Sequence, residues 1–346
     1  MANLKKILIN NRMFFILKRL ASLFLGSIVL IAGIFYFQGW QYWLAYTGGG
    51  FANAQPGAIK TGAKQVCNST PINVVSFNVM YGSSLIEDFA AKFLHGKTGA
   101  GELPWSMRKA DISQRIANYQ PDLIGLQEMG EDHDVAETVP LDQYSLVAYH
   151  NKDFQYDDAA LLYKTKRFEQ LEAGQVWLGK KPELPLSLGF KPLSVIRYIN
   201  WVLLRERLTG FTFIYANTHF DNAGVNKDPS ATLFRERIAN LAKTLPVVVT
   251  GDFNTRADTE RYQRLAGFEG ETPLLKNTYQ LAEQKPDDPL FQPAQRIDHI
   301  LAGGPCQLMV SQWLIDQRLF NNGDMLSDHG LVFARLQFAT SQNESK

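Results

Sequence analysis

VVVTGDFNT, residues 247–255, is a β-type apolar run that ends in a polar tip. Val247, Val248 and Val249 suit a buried strand, and the strand is expected to stop at Gly251. If the backbone stays extended beyond that point, Asp252 and Asn254, two apart, face the same side. A carboxylate beside an amide can bind a hard metal ion, orient a water and hydrogen-bond a phosphate oxygen. Taken alone, the same tip also reads as an Asx-turn closing a strand. Four further segments share its form: SFNVMYG (76–82) around Asn78, LIGLQEM (123–129) around Glu128, YANTHFDN (215–222) around His219, and LSDHGLVF (326–333) around Asp328 and His329. Five apolar runs with polar tips, far apart in sequence, point to one polar site at the end of a sheet. Phosphate-ester hydrolysis is the chemistry expected there.

Glu128 places an acid at the tip of an apolar strand, which is often a solvated end but in this company suits Mg²⁺, an ion that takes one or two carboxylates and keeps its waters. His219 and His329 stand at strand ends beside Asp221 and Asp328. A histidine held by a carboxylate can act as general acid or base, or as an imidazolium that stabilises a pentacovalent phosphate. A lone histidine is more often structural, and here there are two.

Outward from these blocks, INVVSFNVM, LIGLQEM, YSLVAYH, DAALLYK, INWVLLRER, FTFIYANTH, PVVVTGDFN, RIDHILAG and HGLVFARLQF read as strands. MRKADISQRIANY reads as a helix that stops before Pro121, and LFRERIANLAKTL as a helix ended by Pro246. Strands dominate, so the fold class is α+β, with sheets packed face to face and helices outside. Residues 179–195 read as a long surface loop near the rim of the site.

The chain has 346 residues and a formal net charge of +1, but the charge is unevenly spread. Lys5, Lys6, Arg12, Lys18 and Arg19 are the charged residues of positions 1–50; without these five of the 35 basic residues, 30 remain against 34 acidic ones. The body therefore lacks the overall basic excess of a protein that holds nucleic acid mainly by neutralising phosphates. From Leu20 to Phe37 no charge occurs, and the apolar character continues through Trp40, Tyr42, Trp43 and Tyr46. Such a run can cross a bilayer, and the basic flank places residues 1–19 in the cytoplasm. The expected organisation is a basic segment (1–19), a single-pass anchor (20–46), a flexible linker (47–70), a folded domain (71–338) and a tail (339–346). The catalytic domain then lies outside the cytoplasm. A cleaved signal peptide ending at Ala52-Asn53-Ala54 is the alternative. Cys67 and Cys306, the two cysteines, would sit at the edge of the domain opposite the site, where a bridge is possible but two free thiols are equally compatible with the sequence.

Taken together and in order, SFNV, QE, NTH, GDFN, IDHI and SDH resemble the endonuclease/exonuclease/phosphatase superfamily over about residues 71–338. The resemblance implies a four-layered α/β/β/α sandwich with the catalytic residues along one edge of its two sheets. It implies that Asn78 contacts phosphate or metal, and that Glu128 is the principal Mg²⁺ ligand, with Mn²⁺ as an alternative ion. His219 would hydrogen-bond the scissile phosphate, Asp252 would activate the attacking water and Asn254 would orient it. Asp298 would hold His329, Asp328 would assist metal or water positioning, and Arg197 would bind phosphate unless it is a surface arginine. The acid supporting His219 would be Asp157, with Asp158 as the alternative. Met80 stands where abasic-site endonucleases carry an acid, which weakens a DNA-repair role, and the signatures that clamp inositol phosphates are not evident. The expected activity is Mg²⁺-dependent phosphodiester hydrolysis of nucleic acid, with a phospholipid or sphingolipid head group, or a phosphatase substrate, as the alternative. A catalytically silent binding module is disfavoured, because the main catalytic positions other than Met80 hold competent residues. The partners implied are a phosphate-ester substrate and the membrane, and no protein partner is evident.

Overall fold

The structure, a computed structural model, describes residues 24–30, 66–80, 105–129, 135–151, 154–184, 187, 189–191, 194–270, 272–286, 296–317 and 326–340. The chain divides into two units, Met1–Gly49 and Gly50–Lys346. In the first, residues 24–30 are helical and exposed, and the remainder of the expected anchor and basic segment lies outside the described residues. Among the described residues no helix is long and apolar enough to cross a membrane.

The second unit is built from β1 (Ile72–Asn78), α1 (Trp105–Asn118), β2 (Leu123–Gln127), β3 (Tyr144–Asn151), β4 (Phe154–Lys164), β5 (Phe168–Trp177), β6 (Tyr198–Glu206), β7 (Thr212–His219), α2 (Gly224–Arg237), β8 (Val247–Asp252) and α3 (Glu260–Ala266). It continues through β9 (Phe268–Glu269), β10 (Thr272–Pro273), β11 (Lys276–Asn277), α4 (Thr278–Leu281), β12 (Ala282–Gln284), β13 (Asp298–Gly303), β14 (Gln307–Asp316) and β15 (Leu331–Ala339). One sheet has the order β12-β14-β15-β1-β2-β4-β3, the other β11-β13-β8-β7-β6-β5, and β9 pairs with β10 alone.

Period-two alternation assigns each strand's residues to a layer. Val74, Leu123 and Leu161 of the first sheet meet Val202, Phe213, Tyr215, Val248 and Ile300 of the second in the core between the sheets. The residues between them in sequence point outward. Val75, Phe77, Ile124 and Leu126 pack with Ile112 and Ile116 of α1, while Ile214, Val247 and Val249 pack with Phe234 of α2 and Leu265 of α3. The result is the expected four-layered α/β/β/α sandwich.

The same alternation continues into polar residues at one end. Ser76 and Asn78, Gln127, Asn217 and His219, Thr250 and Asp252, and Asp298 follow the inward positions of their strands and are buried. The parallel pairing of β1 with β2 and of β7 with β8 keeps these ends together: Asn78 is opposite Gln127, and His219 opposite Asp252. β13 runs antiparallel to β8, so its beginning joins them, with Asp298 opposite Asp252.

Several elements differ from the sequence expectations. The second helix begins at Gly224, not near residue 233, and breaks at Ile238 into a 3-10 turn, Ala239–Lys243. GVNKDPSAT looks like a loop because its buried side is polar and small: Asn226, Ser230 and Ala231 face inward. β5 and β14 carry irregular burial patterns and bulges, at Gln170/Glu172 and Val310/Gln312, which blur the alternation by which a strand is recognised. The folded body also begins before Pro71. Asn68 bridges to Ala339, Ser69 N–H donates to Phe338 O at 2.9 Å, and Thr70 N–H donates to the buried Glu206 at 3.0 Å. Cys67 and Cys306 form a disulfide with a Cα separation of 5.4 Å. It lies beyond the far end of β13 from Asp298, at the edge opposite the polar end.

Candidate active site

Asp252 Oδ2 is the point on which the polar end converges. Asn78 Nδ2 donates to it at 3.2 Å, His219 Nε2 stands 3.6 Å away and His329 Nε2 3.8 Å away. The other oxygen, Oδ1, accepts from the backbone N–H of Asn254 at 2.8 Å. Asn78 comes from one sheet and Asp252 and His219 from the other, so the site straddles the seam of the sandwich. Asn78 Nδ2 also donates to Glu128 Oε1 at 2.9 Å.

Each histidine is fixed through its Nδ1 by a carboxylate, which leaves Nε2 facing Asp252. Asp158 Oδ1 lies 2.9 Å from His219 Nδ1, and Asp298 Oδ2 lies 2.8 Å from His329 Nδ1. Arg197 Nη1 donates to the other oxygen of Asp158, Oδ2, at 2.5 Å. Burial penalises the Asp158 carboxylate, but Arg197 and His219 outweigh it and hold the pKa down at about 2. Burial likewise opposes charge on His219, yet Asp158 chiefly, then Asp252, raises its pKa. For His329 the burial cost is overcome by the hydrogen bond and charge of Asp298, with help from Asp252 and Asp328, and the pKa is pushed up to about 10. The Asp252 carboxyl is raised, first by burial and next by Asp298, against the pull of His219 and His329. A buried carboxylate made more basic and flanked by two histidines is suited to taking a proton from water.

Backbone strain gathers here as well. Among the described residues, positive φ at non-glycine positions occurs at Met80 (64°), Glu128 (62°), Asn254 (46°) and Gln120 (45°), and the first three border the site. Each such residue costs roughly 1–3 kcal/mol and persists because its surroundings impose it. At Asn254 the turn replaces the extended backbone expected from GDFN. The Asn254 N–H to Asp252 bond is the Asx-turn, and Asn254 Nδ2 still reaches Phe220 O at 2.9 Å and lies 3.4 Å from His219 Nε2. The Asx-turn and the polar pair are therefore the same feature.

Most of the sequence-derived candidates meet at this point: Asn78, Glu128, His219, Asp252, Asn254, Asp298 and His329. Three assignments change. The acid on His219 is Asp158, not Asp157: Asp158 shares the phase of Ala160 and Leu162, which face α1, and it meets His219 where β4 leaves regular pairing beyond Leu161, with a register shift against β3. Asn78 does not offer its oxygen as a metal ligand: Oδ1 accepts from Met80 N–H at 2.9 Å, and a backbone N–H can only donate, so the amide NH₂ is turned toward the carboxylates. Asp328 is exposed and outside the clusters of potential ligands among the described residues; Ser327 turns inward instead, donating from Oγ to Asn78 O at 2.6 Å. Arg197 is placed on Asp158, and Asp221 accepts from Ala223 N–H at 2.9 Å, just before α2, and from Asn226 within it.

Two residues that sequence reasoning passed over support the site. Arg108, fully buried, donates to Val79 O at 2.6 Å, Leu326 O at 2.8 Å and Met80 O at 3.0 Å, tying the exit of β1 to the segment that carries His329. Its signal was a basic residue within the apolar stripe Trp105, Ile112, Ile116 of α1. His299 donates from Nε2 to Thr255 O at 2.9 Å, and burial pushes its pKa down to about 4, so it is a neutral brace for the 252–255 turn.

Glu128, His219 and Asp252 each offer an atom within 4.8 Å of the others, as do Asp252, Asp298 and His329. Carboxylate oxygens of this kind suit a hard divalent cation, and Glu128, its side chain 26% exposed, stands at the open side. The two sheets thus bring carboxylate-held histidines to an acidic centre able to hold a metal ion. The chain belongs to the Endonuclease/Exonuclease/phosphatase family, whose model matches residues 75–329. Among curated relatives, the Protein angel of Drosophila melanogaster is 25% identical over 213 residues, 59% of this chain and 58% of that protein. The CCR4-Not complex 3'-5'-exoribonuclease subunit Ccr4 of Mycosarcoma maydis is 26% identical over 238 residues, 55% of this chain and 35% of its own length. The chain thus spans about half, or less, of these relatives. Among solved structures, an endonuclease/exonuclease/phosphatase family protein from Bacteroides thetaiotaomicron superposes with a TM-score of 0.62 at 25% identity, covering 79% of this chain and 99% of that one. A mannosyl-6-phosphatase of the same organism gives 0.60 at 24% identity, covering 77% and 100%, a likeness of fold.

Proposed function

We propose that the protein is a Mg²⁺-dependent phosphodiesterase acting on nucleic acid, held at a membrane by residues 20–46 with its catalytic domain outside the cytoplasm. The observation that carries the chemistry is the convergence of Asn78 and two carboxylate-held histidines on Asp252 Oδ2. Glu128 would hold the ion, which when bound would polarise a phosphoryl oxygen and favour charge development there. Asp252 Oδ2 takes the proton of the attacking water, and Asn254 Nδ2 orients that water. His219 and His329, kept cationic by Asp158 and Asp298, neutralise the phosphoryl oxygens as the water enters opposite the leaving alcohol. The exoribonuclease among the relatives supports a nucleic acid substrate. The Cys67–Cys306 disulfide supports an oxidising compartment, since such bonds persist outside the cytoplasm.

Full-length protein in detergent with Mg²⁺, offered RNA, single-stranded and plasmid DNA, sphingomyelin and phosphoinositides, tests the substrate class. Turnover of a nucleic acid is expected; exclusive turnover of a lipid head group would replace the nuclease reading with the lipid one. Protease added to intact cells or spheroplasts is expected to remove the catalytic domain from the outer side. Recovery of a soluble protein beginning near Gln55 would show a cleaved signal peptide instead.

A further inference from the structure

Beneath the catalytic residues, a side-chain amide joins the two sheets. Asn217, fully buried on the inner face of β7, donates from Nδ2 to Leu126 O at 2.9 Å and to Ala160 O at 2.8 Å, both in the opposite sheet. Its Oδ1 accepts from Gln127 Nε2 at 2.7 Å, across the sheets, and from Thr250 Oγ1 at 2.9 Å on the neighbouring strand β8. These bonds use both donors and both acceptor directions of a primary amide.

The contacts lie where β2 and β4 part. Their pairing runs from Leu123 opposite Tyr163 to Gly125 opposite Leu161 and then stops. Past that point Leu126 O and Ala160 O receive the two hydrogens of Asn217 in place of a continued ladder, and the strands meet again where Glu128 N–H donates to Asp158 O at 3.1 Å. Room for the wedge depends on Gly125: a Cβ there would lie 2.1 Å from Thr250 Oγ1 and 2.4 Å from Asn217 Oδ1. Every partner of the amide lies one or two residues before or after a site residue. Asn217 precedes His219 by two, Leu126 precedes Glu128 by two, Ala160 follows Asp158 by two, and Thr250 precedes Asp252 by two. In a strand, two residues are one repeat on the same face, about 6.6 Å. The amide therefore sits one repeat below the site, between the sheet that supplies Glu128 and Asp158 and the sheet that supplies His219 and Asp252.

We infer that Asn217 is a positioning residue for the hydrolytic reaction: it wedges β2 from β4 and fixes the separation of the two half-sites, including the Asp158–His219 contact that crosses between sheets. The inference rests on the phosphodiesterase assignment for its kinetic test and on structure alone for its spectroscopic one. Asn217 touches no substrate, so its loss misplaces groups and leaves the binding surface largely in place.

The test compares full-length wild type, Asn217→Ala and Val310→Ala, the last a core truncation in β14 at the far side of the sandwich. With bis(p-nitrophenyl) phosphate and Mg²⁺, Asn217→Ala is expected to lower kcat at least about tenfold beyond Val310→Ala, compared at matched loss of thermal stability, with KM within about threefold of wild type. The downfield His219 Nδ1 proton resonance, assigned by its absence in His219→Gln, is expected to move or vanish in Asn217→Ala and to persist in Val310→Ala. Equal kcat losses in the two variants together with an unmoved His219 signal overturn the inference. Where Asn217→Ala does not fold, Thr250→Val decides: it keeps side-chain volume and removes one donor to Asn217 Oδ1, and unchanged kcat with an unchanged His219 signal overturns the inference too. If wild type cleaves no phosphate ester, the assigned activity fails while the proton resonance still tests Asn217.

Discussion

Replacing Asp158 by Asn tests the link between electrostatics and catalysis in this site. The carboxylate is buried, yet Arg197 and His219 hold its pKa at about 2, against an ordinary 3.8. That difference corresponds to a net preference for the charged form of about 2–3 kcal/mol, at roughly 1.4 kcal/mol per unit. The variant forfeits it and removes the charge facing the Arg197 guanidinium, whose side chain is 18% exposed, so solvent relieves only part of the loss. A stability decrease of about 3 kcal/mol is expected, a fall in Tm of roughly 6–12 °C for a domain of this size. Because the folded pKa is depressed, the contribution is fully present above the unfolded value and is lost as pH falls from 3.8 through about 2. Asp158→Asn should therefore flatten the acid limb of the stability profile in that window. Without the carboxylate, His219 loses both its fixed orientation and its raised pKa, and kcat for bis(p-nitrophenyl) phosphate is expected to drop about a hundredfold or more. Asp157→Asn should leave kcat close to wild type. Steady-state kinetics and urea titrations across pH read both effects. An Asp158→Asn enzyme with kcat near wild type, or an Asp157→Asn enzyme with the larger loss, would refute the reasoning.

Glu128→Ala is expected to lower turnover by at least about a hundredfold while circular dichroism stays native, and EDTA should act alike on wild type; activity that survives both excludes metal dependence. His329→Ala should reduce kcat about a hundredfold with little change in KM. Because its partners push His329 up to about 10, the imidazolium persists as pH rises past the usual histidine range, and wild-type activity should decline only toward pH 10; a decline near neutrality attributable to His329 would contradict the assignment. Cys67→Ser opens a linkage between residues 239 apart, for which chain entropy allows a stability loss of up to about 5 kcal/mol. Non-reducing peptide mapping should recover the linked pair from wild type, and full alkylation of both thiols in unreduced, denatured protein would exclude it.

The ordered tips Asn78, Glu128, His219, Asp252, Asn254, Asp298 and His329 were legible in sequence because chemistry and alternation coincide there. Asn78, His219, Asp252 and Asp298 are polar residues in the inward phase of apolar strands, and period two carries that phase to the strand's end; Glu128, Asn254 and His329 lie just outside β2, β8 and β15, where only their chemistry marks them. Face-to-face sheets with helices outside were expected from the dominance of strands, and the four layers were implied by the family resemblance; strands apolar in both phases must be covered on both faces. Tertiary structure alone decided what depends on neighbours distant in sequence. Two adjacent aspartates, Asp157 and Asp158, are alike as letters, and only the break of β4 from regular pairing beyond Leu161 brings Asp158 to His219. The roles of Asn78 and Asp328 changed because one backbone N–H, from Met80, fixes an amide and one hydroxyl, on Ser327, anchors a loop. GVNKDPSAT became the start of α2 because Asp221 and Ser194 bond Asn226 inside the protein. Asn217 and Arg108 left little trace in the sequence for a related reason: the carbonyls they satisfy belong to the opposite sheet, to the exit of β1 and, for Leu326, to a segment 218 residues away. Local pattern encodes which face of a strand is buried; it does not encode which donor will meet which acceptor once the two sheets close.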